Sequence, residues 1–238
     1  PAALYSKDYL DMFEVVIQLG AILAIIFLYW NKIKDSFKNF SPSKPKSGFK
    51  FWFNIFIACI PAGILGILFD DKIKEKLFYP LPVAIALLVG AFWMIFAEKK
   101  YRRKFTTRTI DDISVKQAII IGCFQCLSLW PGMSRSASTI IGGWISGLST
   151  VAAAEFSFFL ALPVMIGASA LSLWKHSAAL NVVQIIALTS GFIVSFIVAL
   201  VVVDKFVAFL QKKPMKVFAI YRVFIGIILM VLIFLNIV

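Results

Sequence analysis

Residues 117–148 read QAIIIGCFQCLSLWPGMSRSASTIIGGWISGL. The run is apolar on both flanks, and its middle carries Ser134, Arg135, Ser136, Ser138 and Thr139 just after Pro131-Gly132. A spanning helix needs about 20 apolar residues, so the run is too long for one helix. It is also broken at Trp130-Pro131-Gly132. Each half is roughly a dozen residues, which fits two half-helices folded back as a re-entrant hairpin with the polar loop at its tip. The alternative is two short full spans with a polar turn outside. An Arg at a helix centre in lipid costs about 2.5–3.5 kcal/mol, so such a group is expected to face a cavity and bind something.

Outward from this stretch, apolar runs long enough to span occupy 12–30, 51–69, 81–97, 152–174, 182–203 and 217–238. The chain is 61% hydrophobic and 15% charged. Soluble domains are nearer 45–50% and 25%, so the composition predicts an all-α polytopic membrane protein. The net charge of +12 is assigned to loops rather than to a nucleic-acid surface. Loops 31–50, 98–117 and 204–216 hold 17 basic residues, and the opposite-side segments hold 5. The basic loops of this multi-pass chain are therefore expected on the cytoplasmic side. Both hairpin and double-span readings satisfy this count. Cys123-x-x-Cys126 resembles half of a metal or redox motif, but no second pair lies nearby, and all three cysteines read as small apolar packing residues.

Two segments look related. Phe13-Glu14-Val-Val-Ile-Gln-Leu-Gly20 parallels Glu155-Phe-Ser-Phe-Phe-Leu-Ala, and Ala84–Gly90 parallels Ala219–Gly226 with one insertion. Residues 12–97 and 152–238 thus read as two copies of a three-span unit, and the charge map runs them in opposite directions. The predicted organisation is a first repeat at 1–97, a basic loop at 98–117, and a second repeat at 118–238 that includes the hairpin at 118–148. Inverted repeats of this type place a site near mid-membrane at their interface, built from broken helices. Because copy two is preceded by a hairpin, a matching hairpin is expected before Pro1.

At the tip, Arg135 offers a rigid fork of donors suited to phosphate oxygens. Ser134, Ser136 and Thr139 add hydroxyl donors, and a half-helix starting near 136–138 would aim free N–H groups at the same point. Together they form a candidate pyrophosphate cradle. The competing reading is hydroxyl capping plus an Arg135–Glu155 ion pair. Glu14 and Glu155 could hold a divalent cation, pair with Arg135, or sit as waterline carboxylates; Gln18 shares the face of Glu14. Gln125 reads as an interhelical hydrogen bond, and Arg222 as a side chain snorkelling to the interface. His176, on an exterior loop, is a poor catalytic candidate.

The block from Gly122 to Thr139, with Pro131-Gly-Met-Ser-Arg-Ser-Ala-Ser-Thr139 at its core, resembles the bacterial undecaprenyl-pyrophosphate phosphatase family linked to bacitracin resistance. Phe13–Gly20, Glu155–Phe158 and Phe218–Arg222 are similar to further blocks of that family. The resemblance implies hydrolysis of a C55 polyisoprenyl pyrophosphate to the monophosphate and phosphate, which recycles the carrier lipid of cell-wall synthesis. It implies phosphate-binding roles for Ser134, Arg135 and Thr139, with Ser136, Gln125, Glu155 and Glu14 as further substrate-binding candidates. It also implies a divalent cation, Mg²⁺ or Ca²⁺, whose ligands are expected in a paired-acid segment that this sequence lacks. Expected partners are the lipid substrate and the bilayer, with a homodimer compatible and no nucleic acid. A lipid-phosphate transporter or flippase is the competing class, because inverted repeats with broken helices are transporter architecture.

Overall fold

The computed structural model describes residues 7–41, 47–175 and 180–237. Among the described residues there are nine α-helices: α1 (Lys7–Leu28), α2 (Trp30–Lys38), α3 (Gly48–Leu77), α4 (Pro80–Tyr101), α5 (Val115–Gln125), α6 (Arg135–Ile145), α7 (Thr150–Lys175), α8 (Val182–Lys212) and α9 (Lys216–Phe234). Among the described residues there is no strand, only an isolated bridge between Thr107 and Leu148. Helices α3, α4, α7, α8 and α9 are each long and apolar enough to cross a membrane. Helix α1 joins them if it is counted with α2, to which it is bent by 66° at Tyr29. The predicted all-α polytopic fold is the observed one.

Several helices outrun the apolar windows that predict them. Helix α3 continues through Asp70, Asp71, Lys72, Lys74, Glu75 and Lys76, and α8 continues to Lys212. Hydropathy marks the edge of the hydrocarbon layer, whereas Lys and Glu are good helix formers that carry the helix beyond it. An Asp70–Lys74 pair one turn apart supports the extension of α3.

Helix α7 lies at the centre of the bundle. Over Thr150–Gly167, 56% of its residues are buried, against 11% for α8 and 17% for α9, whose apolar surfaces are left to lipid. Its buried face runs through Ala152, Ala153, Ala154, Phe156, Ser157, Phe159 and Leu160. Helices α1, α3, α6 and α8 pack around it. Phe159 stacks edge-on to both Tyr29 and Phe51, which locks α7 to the α1 bend and to α3. Offset and edge-to-face pairs of this kind add about 0.5–1.5 kcal/mol beyond area burial.

The region 115–145 forms a hairpin. Helices α5 and α6 have 11 residues each, about 16 Å of rise, which is half the hydrocarbon thickness of about 30 Å. They pack against each other, and their outer ends meet the same segment. Thr106 and Thr107 donate their N–H groups to the Gly147 carbonyl at 2.9 and 3.0 Å, and Ser149 N donates to Thr107 O at 2.8 Å. Gln117 completes the capping box of α5 with Ser114. Its Nε2 also reaches Thr107 Oγ1 and Ser146 O, each at 2.9 Å. Entry and exit therefore lie side by side, and the segment runs as an antiparallel hairpin of two 11-residue helices.

Candidate functional site at the hairpin tip

The first half of the hairpin ends in a tight 3-10 turn at Cys126–Leu129, and the chain reverses over Trp130–Ser134. Gly132 makes the reversal possible, with φ at +96° and Val83 O where a Cβ would stand, 2.8 Å away. Trp130 anchors the turn by donating Nε1–H to Pro82 O at 3.1 Å. Ser134 follows at φ 62°, a left-handed conformation that costs a non-glycine residue about 1–2 kcal/mol. It is the N-cap of α6, its hydroxyl accepting from Ala137 N at 3.4 Å. The helix thus starts at Arg135, one residue before the predicted window. The N–H groups of Arg135 and Ser136 occupy the first two helical positions, where no intrahelical acceptor exists.

The polar residues of the tip divide between two faces. Ser134 and Ser136 line a cavity of about 520 Å³ enclosed by Leu87, Met94, Ile140, Phe206, Phe218 and Arg222. Arg135 and Thr139 turn instead toward α7. Arg135 Nη1 donates to Ser157 O at 3.3 Å, its one hydrogen-bonded acceptor among the described residues. Thr139 is fully buried, with its hydroxyl bonded to Arg135 O, Ser136 O and Ser157 Oγ at 2.9, 3.2 and 2.7 Å. Thr139 therefore welds α6 to α7, and Ser157 is a partner that the sequence reading did not single out. The Glu155–Phe158 block held it, but nothing in a helical apolar run shows which neighbour a serine meets.

The remaining candidates lie elsewhere. Glu155 is half-buried and lines a cavity of about 270 Å³ with Tyr29, Asp204 and Gln211, and another of about 370 Å³ with Lys32, Arg108 and Asp111. No Arg135–Glu155 ion pair forms among the described residues, because Glu155 faces the Lys32–Asp111 ion pair. Glu14 is exposed on α1, and no ion pair joins it to the tip among the described residues. Gln125 is 2% exposed, yet neither its amide oxygen nor its nitrogen has a hydrogen-bond partner among the described residues. The expected interhelical bond is not formed among the described residues. His176 falls outside the described residues.

Arg222 corrects a second expectation. It does not snorkel. It is 7% exposed and donates to Gly132 O, Met133 O and Ala86 O. Three carbonyls, two at the tip and Ala86 O on α4, offset the desolvation of the guanidinium without a path to water.

Among the described residues no three His, Cys, Asp or Glu side chains converge. The tip instead offers hydroxyls, guanidinium groups and helix N–H groups. That donor set suits an anion, not a bare divalent cation, whose ligands are oxygen acceptors.

The family model described as bacitracin resistance protein BacA matches residues 2–228. The chain belongs to the BacA family. Three curated relatives are similar along almost the whole chain. An undecaprenyl-diphosphatase of Clostridium novyi (strain NT) is 66% identical, over 100% of this chain and 84% of the relative. Undecaprenyl-diphosphatase 2 of Clostridium acetobutylicum is 56% identical, over 98% and 83%. An undecaprenyl-diphosphatase of Ruminiclostridium cellulolyticum is 52% identical, over 95% and 82%.

Proposed function

We propose that this chain hydrolyses undecaprenyl pyrophosphate to undecaprenyl phosphate and phosphate at the hairpin tip. The observation that carries the site is the start of α6, where the first-turn N–H groups and the Ser134 and Ser136 hydroxyls stand beside the cavity while the Arg135 guanidinium leaves the same turn on the α7 side, all inside an apolar bundle. An anion there is stabilised by the helix dipole and by charge-assisted bonds in a low-dielectric setting. Among the described residues Arg135 has one protein acceptor, and Ser134 is exposed, so both retain donors for phosphate oxygens. Hydrolysis cleaves the bond between the bridging oxygen and the distal phosphorus: water supplies the new P–O bond and the monophosphate leaves as an oxyanion. Charge building on the distal oxygens is then met by donors already in place. The cavity beside Ser134 and Ser136 is apolar along Leu87, Ile140, Phe206 and Phe218, which suits the isoprenoid end of the same substrate.

Two further parts belong to this proposal. The helices are taken as inverted repeats that exchange α1 with α7, α3 with α8 and α4 with α9. In support, α1 packs on α8 as α7 packs on α3, while α1–α7 and α4–α9 map onto themselves. The basic loop at the hairpin mouth is taken as cytoplasmic and the bilayer as the inner membrane. A divalent cation, Mg²⁺ or Ca²⁺, is kept as a requirement of the reaction, although the described residues supply no ligand set for it.

Phosphate release from a polyisoprenyl diphosphate, assayed with and without chelator, tests the reading. Arg135→Ala is expected to lower kcat by about 10²–10³-fold with the protein still inserted, the usual effect of removing one preorganised donor. Full activity in that variant would defeat the cradle. Uptake of labelled substrate into vesicles without phosphate release would favour a transporter.

A further inference from the structure

Arg222 lies two turns into α9, which is otherwise apolar through Val217–Phe234 apart from Tyr221. Its guanidinium joins three parts of the molecule: α9, which carries it; α4, through Ala86 O at 3.2 Å; and the tip, through Met133 O at 3.1 Å and Gly132 O at 2.5 Å. Met94 Sδ lies 3.6 Å from Nη1. The two tip acceptors are consecutive carbonyls immediately before Ser134, whose left-handed φ of 62° sets the direction of α6's first N–H groups. Left without a donor, two carbonyl oxygens in an apolar cavity next to an anion would rotate or draw in water, and either change would move Ser134.

We infer that Arg222 is a positioning residue for the reaction at the tip: by holding the Gly132 and Met133 carbonyls it fixes the Ser134 backbone so that the start of α6 faces the diphosphate. The inference rests on the proposed function and adds a residue to it. A planar fork can serve two adjacent carbonyls at once, whereas a lysine ammonium is a single point with a different reach. The fold makes room for this fork: α4 carries Gly90 opposite Arg222, and a Cβ there would collide with Nη2 and press on Cζ. Gly90→Ala therefore displaces the guanidinium without removing the charge; its Cβ also comes within 3.3 Å of Met133 Sδ, the end of a flexible side chain.

The test measures kcat and KM for phosphate release from a polyisoprenyl diphosphate in detergent micelles, for the parent, Arg222→Ala, Arg222→Lys and Gly90→Ala, with thermal stability read in parallel. A misplaced reacting group costs on the order of 10²-fold, so kcat is expected to fall by about that factor in Arg222→Ala with KM nearly unchanged. Added guanidinium ion is expected to restore much of the lost rate in Arg222→Ala, and methylammonium is not. Gly90→Ala is expected to lower kcat in the same direction and to be insensitive to guanidinium. A rise in KM with kcat retained would overturn the inference, since Arg222 would then bind substrate directly. Parent kinetics in Arg222→Ala, or a loss that guanidinium leaves untouched, would overturn it as well. If Arg222→Ala does not fold, Gly90→Ala and Arg222→Lys decide, and parent kcat in both would overturn it. Arg135→Ala run alongside separates the two claims: full activity there defeats the phosphate cradle whatever Arg222 does.

Discussion

Glu98→Gln should loosen the α8–α9 corner, and through it the site, by an amount that can be worked out bond by bond. Glu98 closes α4 with one carboxylate serving three donors: Arg102 Nη1 at 2.7 Å, Met215 N at 2.8 Å and Lys216 N at 3.0 Å. Arg102 passes its other nitrogen to Leu210 O and Lys213 O, at 2.6 and 2.8 Å, at the end of α8. A single Glu–Arg pair, with side chains 11% and 19% exposed, thus caps the end of one helix and the start of the next. Gln retains one acceptor oxygen and loses the charge. The bond from Lys216 N is solvent-exposed, so water replaces it at small cost. The other two fall from charge-assisted strength, about 1.5–3 kcal/mol, to neutral strength, about 0.5–1.5 kcal/mol. The expected loss is therefore roughly 2–3 kcal/mol. Arg222 lies seven residues beyond Met215, two turns along α9, so fraying at the corner should reach the tip clamp. Denaturant unfolding of Glu98→Gln, Arg102→Met and the double variant gives the coupling, expected at about 2 kcal/mol, with kcat falling in proportion. Coupling near zero with unchanged kcat would refute the argument that this corner holds α9 in place.

Three other outcomes follow from the geometry. Gly122→Val should destabilise by about 1–3 kcal/mol in the same unfolding assay, because its Cβ would stand 2.5 Å from Ala58 O and force α5 off α3. Gln125→Leu should raise stability or leave it unchanged, since burying an unpaired amide costs about 1–3 kcal/mol; a large loss of stability would mean the amide is paired. Gln117→Ala removes the capping box of α5 and both ties from Gln117 to the hairpin mouth, so about 1–3 kcal/mol should be lost, with hydrogen exchange rising first at Thr107 and Ser149.

The hairpin was legible because its signal is local: a Pro-Gly break in an over-long apolar run, with each half too short to span. The tip motif was legible for the same reason, since hydroxyls and an Arg between charge-free flanks have few structural uses. The division of that motif between two faces was not. Whether Thr139 points at a cavity or at Ser157 depends on how α6 is rotated against α7, and the polar residues of its first turns, Arg135, Ser136, Ser138 and Thr139, are spread around the helix and do not tell the cavity side from the α7 side. Arg222 was misread on the same ground. In α9 lipid-facing and protein-facing positions are chemically alike, so the distance to water looked decisive and the nearby carbonyls were invisible. Gln125 shows the limit from the other side, because a polar residue in an apolar helix predicts a partner that the described residues do not provide.

The closure of the hairpin mouth has a mechanical meaning. Thr106, Thr107, Gln117 and Ser149 fasten both ends of the hairpin to one short stretch of chain, and the far end is reached by Trp130, Arg135 and Arg222. The element is a cantilever, clamped at the surface and steadied at its free end by three side chains from or to neighbouring helices. A beam held in this way keeps the direction of its tip, so the orientation of α6's first turn is set by its anchors at both ends and not by the short turn that precedes it.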